Sequence, residues 1–251
     1  RYTRLGATAL SLLALLGAGY SPLSRDLLDG IPAGERVAKA LDWLKANLEG
    51  DPLNLSLAAL ALNEAYGLTG SARLKESAEG ALAKITAAQG ADGSWSGDLL
   101  TTLWASETLA SARLGELAVS DDSVARVVPW LRGQIDVHKD AAAACGVILL
   151  SKTKNDPSLE TARRLLVSTP PDWTQQNFPY WYLGAMAMFQ MDGPKGDDWK
   201  AWSERIKTTL PPNQDSKGGW PGAGGATAAA VRNGMGTLTL EIYYRYANVV
   251  K

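Results

Sequence analysis

Two kinds of segment alternate along the 251 residues. One kind is apolar and rich in small side chains: Leu5–Tyr20, Leu53–Tyr66, Leu99–Leu114, Ala141–Leu150, Tyr180–Met191 and Ala226–Tyr246. The other is amphipathic: Gly34–Leu48, Ser71–Ala88, Asp121–Arg132, Asp156–Val167 and Asp197–Leu210. Apolar segments begin about every 40–48 residues, a spacing that signals an internal helical repeat. In the first amphipathic segment Trp43, Leu44 and Leu48 mark one face, and Lys45 and Glu49 the other. No stretch alternates with period two in β-branched residues, so the pattern predicts helices and almost no strand. An apolar helix followed by an amphipathic one, repeated, predicts an inner ring wrapped by an outer one. The runner-up is a right-handed α-solenoid.

The segment ends carry stop and start signals. Ser71 follows Gly67 and Gly70, a stop and then a cap. Asp156-Pro157 places a cap before a first-turn proline, and Asp121-Asp122 and Asp197-Asp198 put carboxylates where a helix dipole favours them. Two corners share the pattern Gln-x-x-x-Gly-x-Trp: Gln89, Gly93 and Trp95, then Gln214, Gly218 and Trp220. The Gln amide can bond free backbone groups at a helix end, the Gly allows positive φ, and the Trp covers the corner. Gln134 closes another amphipathic segment without the Gly and Trp.

Composition narrows the function classes. Charge is balanced, 25 basic residues against 26 acidic, with no basic run, so nucleic-acid binding is not expected. One cysteine, Cys145, allows no internal disulfide, which leaves the compartment open between cytoplasm and export. No segment reads as a membrane span. Arg1–Arg4 with the apolar run Leu5–Leu16 also fits a secretion signal, but the repeat phase favours a buried inner helix. With no starting Met, the chain reads as one domain, residues 1–251, cut from a longer protein.

The two corners, with Leu15–Tyr20, Leu62–Gly67, Phe178–Gly184 and Leu238–Tyr246, resemble bacterial prenyltransferase and squalene oxidase repeat proteins of the terpenoid cyclase and protein prenyltransferase superfamily. The resemblance covers essentially the whole chain. It implies an all-α fold, an α/α toroid of about six inner and five outer helices. It does not bring the superfamily's catalytic residues. The cyclases' Asp-x-Asp-Asp is absent, and the transferases' zinc ligands have only His138 and Cys145, with Asp140 between them, to match. No cofactor and no metal are therefore expected, and the chain reads as a binding or scaffold domain rather than an enzyme, with a protein partner or an apolar small molecule. One alternative is an isoprenoid-like ligand bound or converted in the central cavity. Another is a glycan-active α/α barrel, which needs two carboxylates about 5–9 Å apart in an open cleft, and the sequence shows no convincing pair.

Several residues are candidates for the cavity. Asp98 opens an inner helix with Thr101 and Trp104 behind it, as an N-cap or as a ligand-orienting group. Tyr180, Trp181 and Tyr182 open another, as packing or as an aromatic wall. Arg232 could pair with a Glu or hold an anion. Glu64, Glu107 and Glu241 sit at matching places in three apolar segments, and their repetition favours structural ties over acid–base work. His138 reads as a cap or surface residue at a helix start.

Overall fold

The computed structural model describes residues 1–245. The expected extension of the last helix to Tyr246 falls outside them. Among the described residues there are eleven α-helices: α1 Arg4–Gly17, α2 Ala33–Ala46, α3 Pro52–Thr69, α4 Ala72–Ala87, α5 Leu99–Leu114, α6 Asp121–Asp136, α7 Ala143–Ser151, α8 Pro157–Ser168, α9 Phe178–Asp192, α10 Asp197–Thr209 and α11 Ala226–Arg245. A two-residue antiparallel hairpin, β1 Leu27–Leu28 and β2 Ile31–Pro32, interrupts the connection from α1 to α2.

The odd-numbered helices form the inner ring. Each packs on the next, α1 on α3, α3 on α5, α5 on α7, α7 on α9 and α9 on α11, and α11 packs on α1. That last contact makes the structure an α/α toroid and rules out the solenoid, which would leave its ends apart. The even-numbered helices lie outside and present one apolar stripe inward. In α2 that stripe is Val37, Leu41 and Leu44, while α3 is buried almost all round.

Small residues set how closely the inner helices approach. At the seam, a Cβ on Gly234 of α11 would lie 3.0 Å from the Cβ of Leu10 and 3.1 Å from its backbone, so a side chain there would push the two helices apart by a few tenths of an ångström. Polar ties cross the ring as well. Asn63 of α3 donates to the Thr108 carbonyl of α5 (3.1 Å), and the Thr108 hydroxyl donates to the Ser56 carbonyl (2.9 Å).

Both corners are built alike. The Gln89 amide donates to the Gly93 carbonyl (2.9 Å) and the Ser123 carbonyl (2.9 Å), and the Trp95 indole donates to the Ile85 carbonyl (2.7 Å). In the second corner Gln214 donates to the Gly218 carbonyl (2.8 Å) and Trp220 to the Leu210 carbonyl (2.9 Å). Gly93 and Gly218 take φ +88° and +79°, where a side chain would be strained.

Some boundaries differ from the expected ones. Helix α6 runs through Pro129 to Asp136, beyond the predicted end at Arg132. Helix α7 starts at Ala143, because residues 137–142 form a turn with Lys139 at φ +60°. His138 therefore sits exposed in a turn after α6, not at a helix start.

Candidate functional site

The inner helices all run the same way, so the ring has an N-terminal mouth and a C-terminal mouth. Its middle is filled. Trp104 of α5 and Tyr182 of α9 stack at 5.4 Å with their planes 13° apart, and both are fully buried. These helices are not ring neighbours, so the two rings meet across the interior. The Tyr182 hydroxyl donates to the Glu107 carboxylate just below. The central-cavity ligand reading required an open apolar lumen at this level. The stack occupies it, because two aromatic rings bury more surface against each other than either could against solvent.

A hollow of about 390 Å³ opens at the C-terminal mouth, among Leu16, Leu60, Leu114, Glu64 and Glu107. Glu241 of α11 is half-buried, and burial pushes its carboxyl up to about 8. Burial also raises the Cys145 thiol, with the Glu107 charge adding to it. Among the described residues no group of three or more His, Cys, Asp and Glu is arranged to hold a metal.

The N-terminal mouth is more polar. A hollow of about 440 Å³ there is lined by Arg1, Tyr2, Asp98, Asp140, Asn177 and Tyr180, with Leu103 and Leu183 at its floor. Asp98 caps α5. It accepts from the Thr101 N–H (2.8 Å) and hydroxyl (2.6 Å) and pairs with Arg1. Burial alone would raise its carboxyl, but the Thr101 bonds and the Arg1 guanidinium outweigh that and hold it below the usual carboxylate range. Asp140 ends the turn before α7. It accepts from the Ala142 N–H (3.2 Å), and burial pushes its carboxyl up. Tyr180 bonds Thr169 through its hydroxyl (2.6 Å). Burial raises that phenol, and the nearby Asp140 charge raises it further. Tyr2 is half-buried, and that burial pushes its phenol up to about 12. One hollow thus holds an easily ionised carboxyl and a reluctant one. That is the arrangement by which a pair of carboxyls takes separate acid and base roles.

The sequence candidates separate on this geometry. Asp98 and Tyr180 face the same hollow, and Thr101 holds Asp98. Trp104 and Tyr182 form the plug. Trp181 is buried in a corner cluster with Phe178 (5.0 Å) and Trp173 (6.2 Å). Arg232 neither pairs with a Glu nor presents a free head. Its guanidinium donates to the carbonyls of Trp220 (3.3 Å), Gly222 (3.0 Å) and Ala223 (2.6 Å), clamping that loop. Asp140, Tyr2 and Asn177 were not among the candidates. A signal existed for Asn177, which like Asp51 and Asp98 stands one residue before an inner helix, whereas Asp140 stands three residues before α7. The paired aspartates opening α6 and α10 lie outside the mouth, bound to Arg113, Arg126, Lys200 and Arg163.

No protein-family model matches the sequence, and no curated protein is significantly similar to it. Two solved structures share the fold. Both are of the GH76A α-1,6-mannanase of Salegentibacter sp. HEL1_6, one of them an inactive variant with two aspartates changed to asparagine, in complex with α-1,6-mannotriose. The variant aligns with TM-score 0.65 and 13% identity over 95% of this chain and 89% of that one. The other aligns with TM-score 0.65 and 12% identity over 96% and 89%. At such identity the likeness is one of fold.

This corrects the resemblance drawn from the corners. The similar structures are glycoside hydrolases, not prenyltransferases or squalene cyclases. The reason is visible in the corners themselves. Their hydrogen bonds join an outer helix to the next inner one, a task any α/α ring must solve, so they specify a turn and carry no chemistry. That similar protein was solved with an oligosaccharide rather than an apolar molecule. No helix among the described residues is long and apolar enough to cross a membrane.

Proposed function

We propose that this chain is a glycan-active α/α barrel whose site is the hollow at the N-terminal mouth. The observation that carries the reading is that Asp98 and Asp140 line one hollow, with their carboxyls pushed in opposite directions. Asp140, whose carboxyl burial pushes up, is the general acid that donates to the departing sugar oxygen. Asp98, ionised and held by Thr101, is the carboxylate that activates water or attacks the sugar. Asn177 and Tyr180 supply hydroxyl-binding and ring-stacking surface beside them. The likeness to α-1,6-mannanases supports the glycan class.

The test is incubation with a panel of linear oligosaccharides, α-1,6-linked mannotriose included, reading new reducing ends. Activity on one linkage, lost in Asp140→Asn and in Asp98→Asn while the circular dichroism spectrum is kept, supports the reading. No cleavage and no binding across the panel sinks it. A scaffold role is favoured by one observation, the packed ring interior, and would then lead.

A further inference from the structure

The hollow holding Asp98 and Asp140 is the middle one of three on the same face. On one side it meets a hollow of about 560 Å³ between the start of α11 and the chain start, and the two share Arg1 and Tyr2 as lining. On the other it meets a hollow of about 790 Å³ between α10 and the connection from α8 to α9, and those two share Asn177 and Tyr180. Each is of the size that holds a small ligand, about 300–1,000 Å³. Three in a row make a groove that passes over the carboxyl pair and continues beyond it in both directions.

The two arms differ in chemistry. The arm beyond Tyr180 carries Gln175 and Gln176 with exposed amides, and Arg205, whose Nε donates to the Pro171 carbonyl (3.2 Å) and whose guanidinium has further donors. Amides and a guanidinium beside an aromatic ring suit a chain of hydroxyls and sugar faces more than a charged or apolar ligand. The opposite arm is lined by Gly225 and the start of α11, where Ala226, Ala228 and Val231 are apolar and the Arg232 guanidinium is taken up by the carbonyls of Gly222 and Ala223. Apart from Thr227 that arm offers small apolar side chains, which hold a chain of hydroxyls less firmly than amides do.

Resting on the glycan reading, we infer that the groove takes an internal stretch of a linear glycan, with sugars seated on both sides of the carboxyl pair, and grips it mainly through the arm of Gln175, Gln176 and Arg205. A site that trims chain ends needs a wall on one side of its carboxyls. Here both sides are open.

The experiment uses the whole chain and linear α-1,6-linked mannose oligomers of two to six units. Affinity is measured by titration calorimetry on Asp140→Asn, and early products of the longest oligomer are measured on the unaltered protein. The inference expects affinity to rise at least tenfold with length and the first cuts to fall inside the oligomer. It also expects the Gln175→Ala/Gln176→Ala variant to lose that gain while keeping the affinity for the shortest oligomer that binds. Both glutamines are exposed, so this variant leaves the core untouched. Binding that does not change with length, or release of single sugars from one end, overturns the groove and leaves the glycan site standing. No binding at any length overturns both.

Discussion

Asp98 and Asp140 differ through their neighbours. Each has one backbone N–H, but only Asp98 has a hydroxyl and a guanidinium as well, so burial prevails at Asp140 and is outweighed at Asp98. If the two carboxyls act as proposed, a bell-shaped dependence of rate on pH follows. The acid limb lies below the usual carboxylate range, where Asp98 takes up its proton, and the alkaline limb lies above it, where Asp140 loses one. Asp98→Asn should remove the acid limb and lower kcat by about 10²-fold or more, which a pH–rate series measures. At the corners the expected effect is on stability. Trp95→Phe leaves the Ile85 carbonyl without its indole donor at a buried site, costing about 1–3 kcal/mol in a urea melt. Asp98 was legible in the sequence because its cap is local, with Thr101 three residues on. Asp140 was not, because the turn that places it is set by Lys139 in a left-handed conformation and by the Gln134 carbonyl, which accepts from the Asp140 N–H (3.0 Å). Neither residue type announces that role.

Helices were easier to read than the ends that aim them. The alternation of apolar and amphipathic segments predicted every helix, because burial on all sides and burial on one stripe leave different patterns. Pro129 shows the limit. A proline usually ends a helix, yet the predicted segment runs through it and α6 continues to Asp136, beyond the predicted end at Arg132, since packing of Val127, Val128 and Leu131 outweighs one lost backbone bond. Ion pairs between outer helices were also hidden, as they depend on which helices become neighbours. Asp156, the cap of α8, bonds the Ser158 hydroxyl (2.8 Å) and pairs with Arg132 of α6 (2.6 Å), and its side chain is only 2% exposed. Burial alone would raise that carboxyl, but Ser158 and Arg132 outweigh it and hold it low. A carboxyl lowered in the folded state stabilises above its unfolded value, near 3.9, and loses that contribution as pH falls through the folded value. Asp156→Ala should therefore cost about 1–2 kcal/mol at neutral pH. The gap to the unaltered protein should narrow below about pH 4, as seen in thermal melts across pH.

At the scale of the molecule, the plug separates the two mouths. The sequence showed aromatic residues on inner helices but not that Trp104 and Tyr182 would meet, since that depends on α7 between them being short and starting with the small residues Ala143, Ala144, Cys145 and Gly146. A Cβ at Gly146 of α7 would come within 2.6 Å of Leu131 and 3.3 Å of Leu103, so the helix has no room to retreat. Trp104→Ala should open a hole at the ring's centre and destabilise the fold by about 3–5 kcal/mol, seen as a lowered Tm. Binding of an apolar dye by that variant, absent from the unaltered protein, would show that the side chain and not the backbone closes the lumen.

The seam between α1 and α11 bears on how this chain could be rewired. The two helices are neighbours and run the same way, so residues 1 and 245 stand at opposite mouths. A peptide joining them must travel back along α11, 20 residues and so about 30 Å. Among the described residues no outer helix covers that flank. A circular permutant reopened at the turn between α5 and α6 should fold when the joining peptide is long enough to lie there as a helix. It should fail when the joint is a few glycines, as proteolysis of the two versions would reveal.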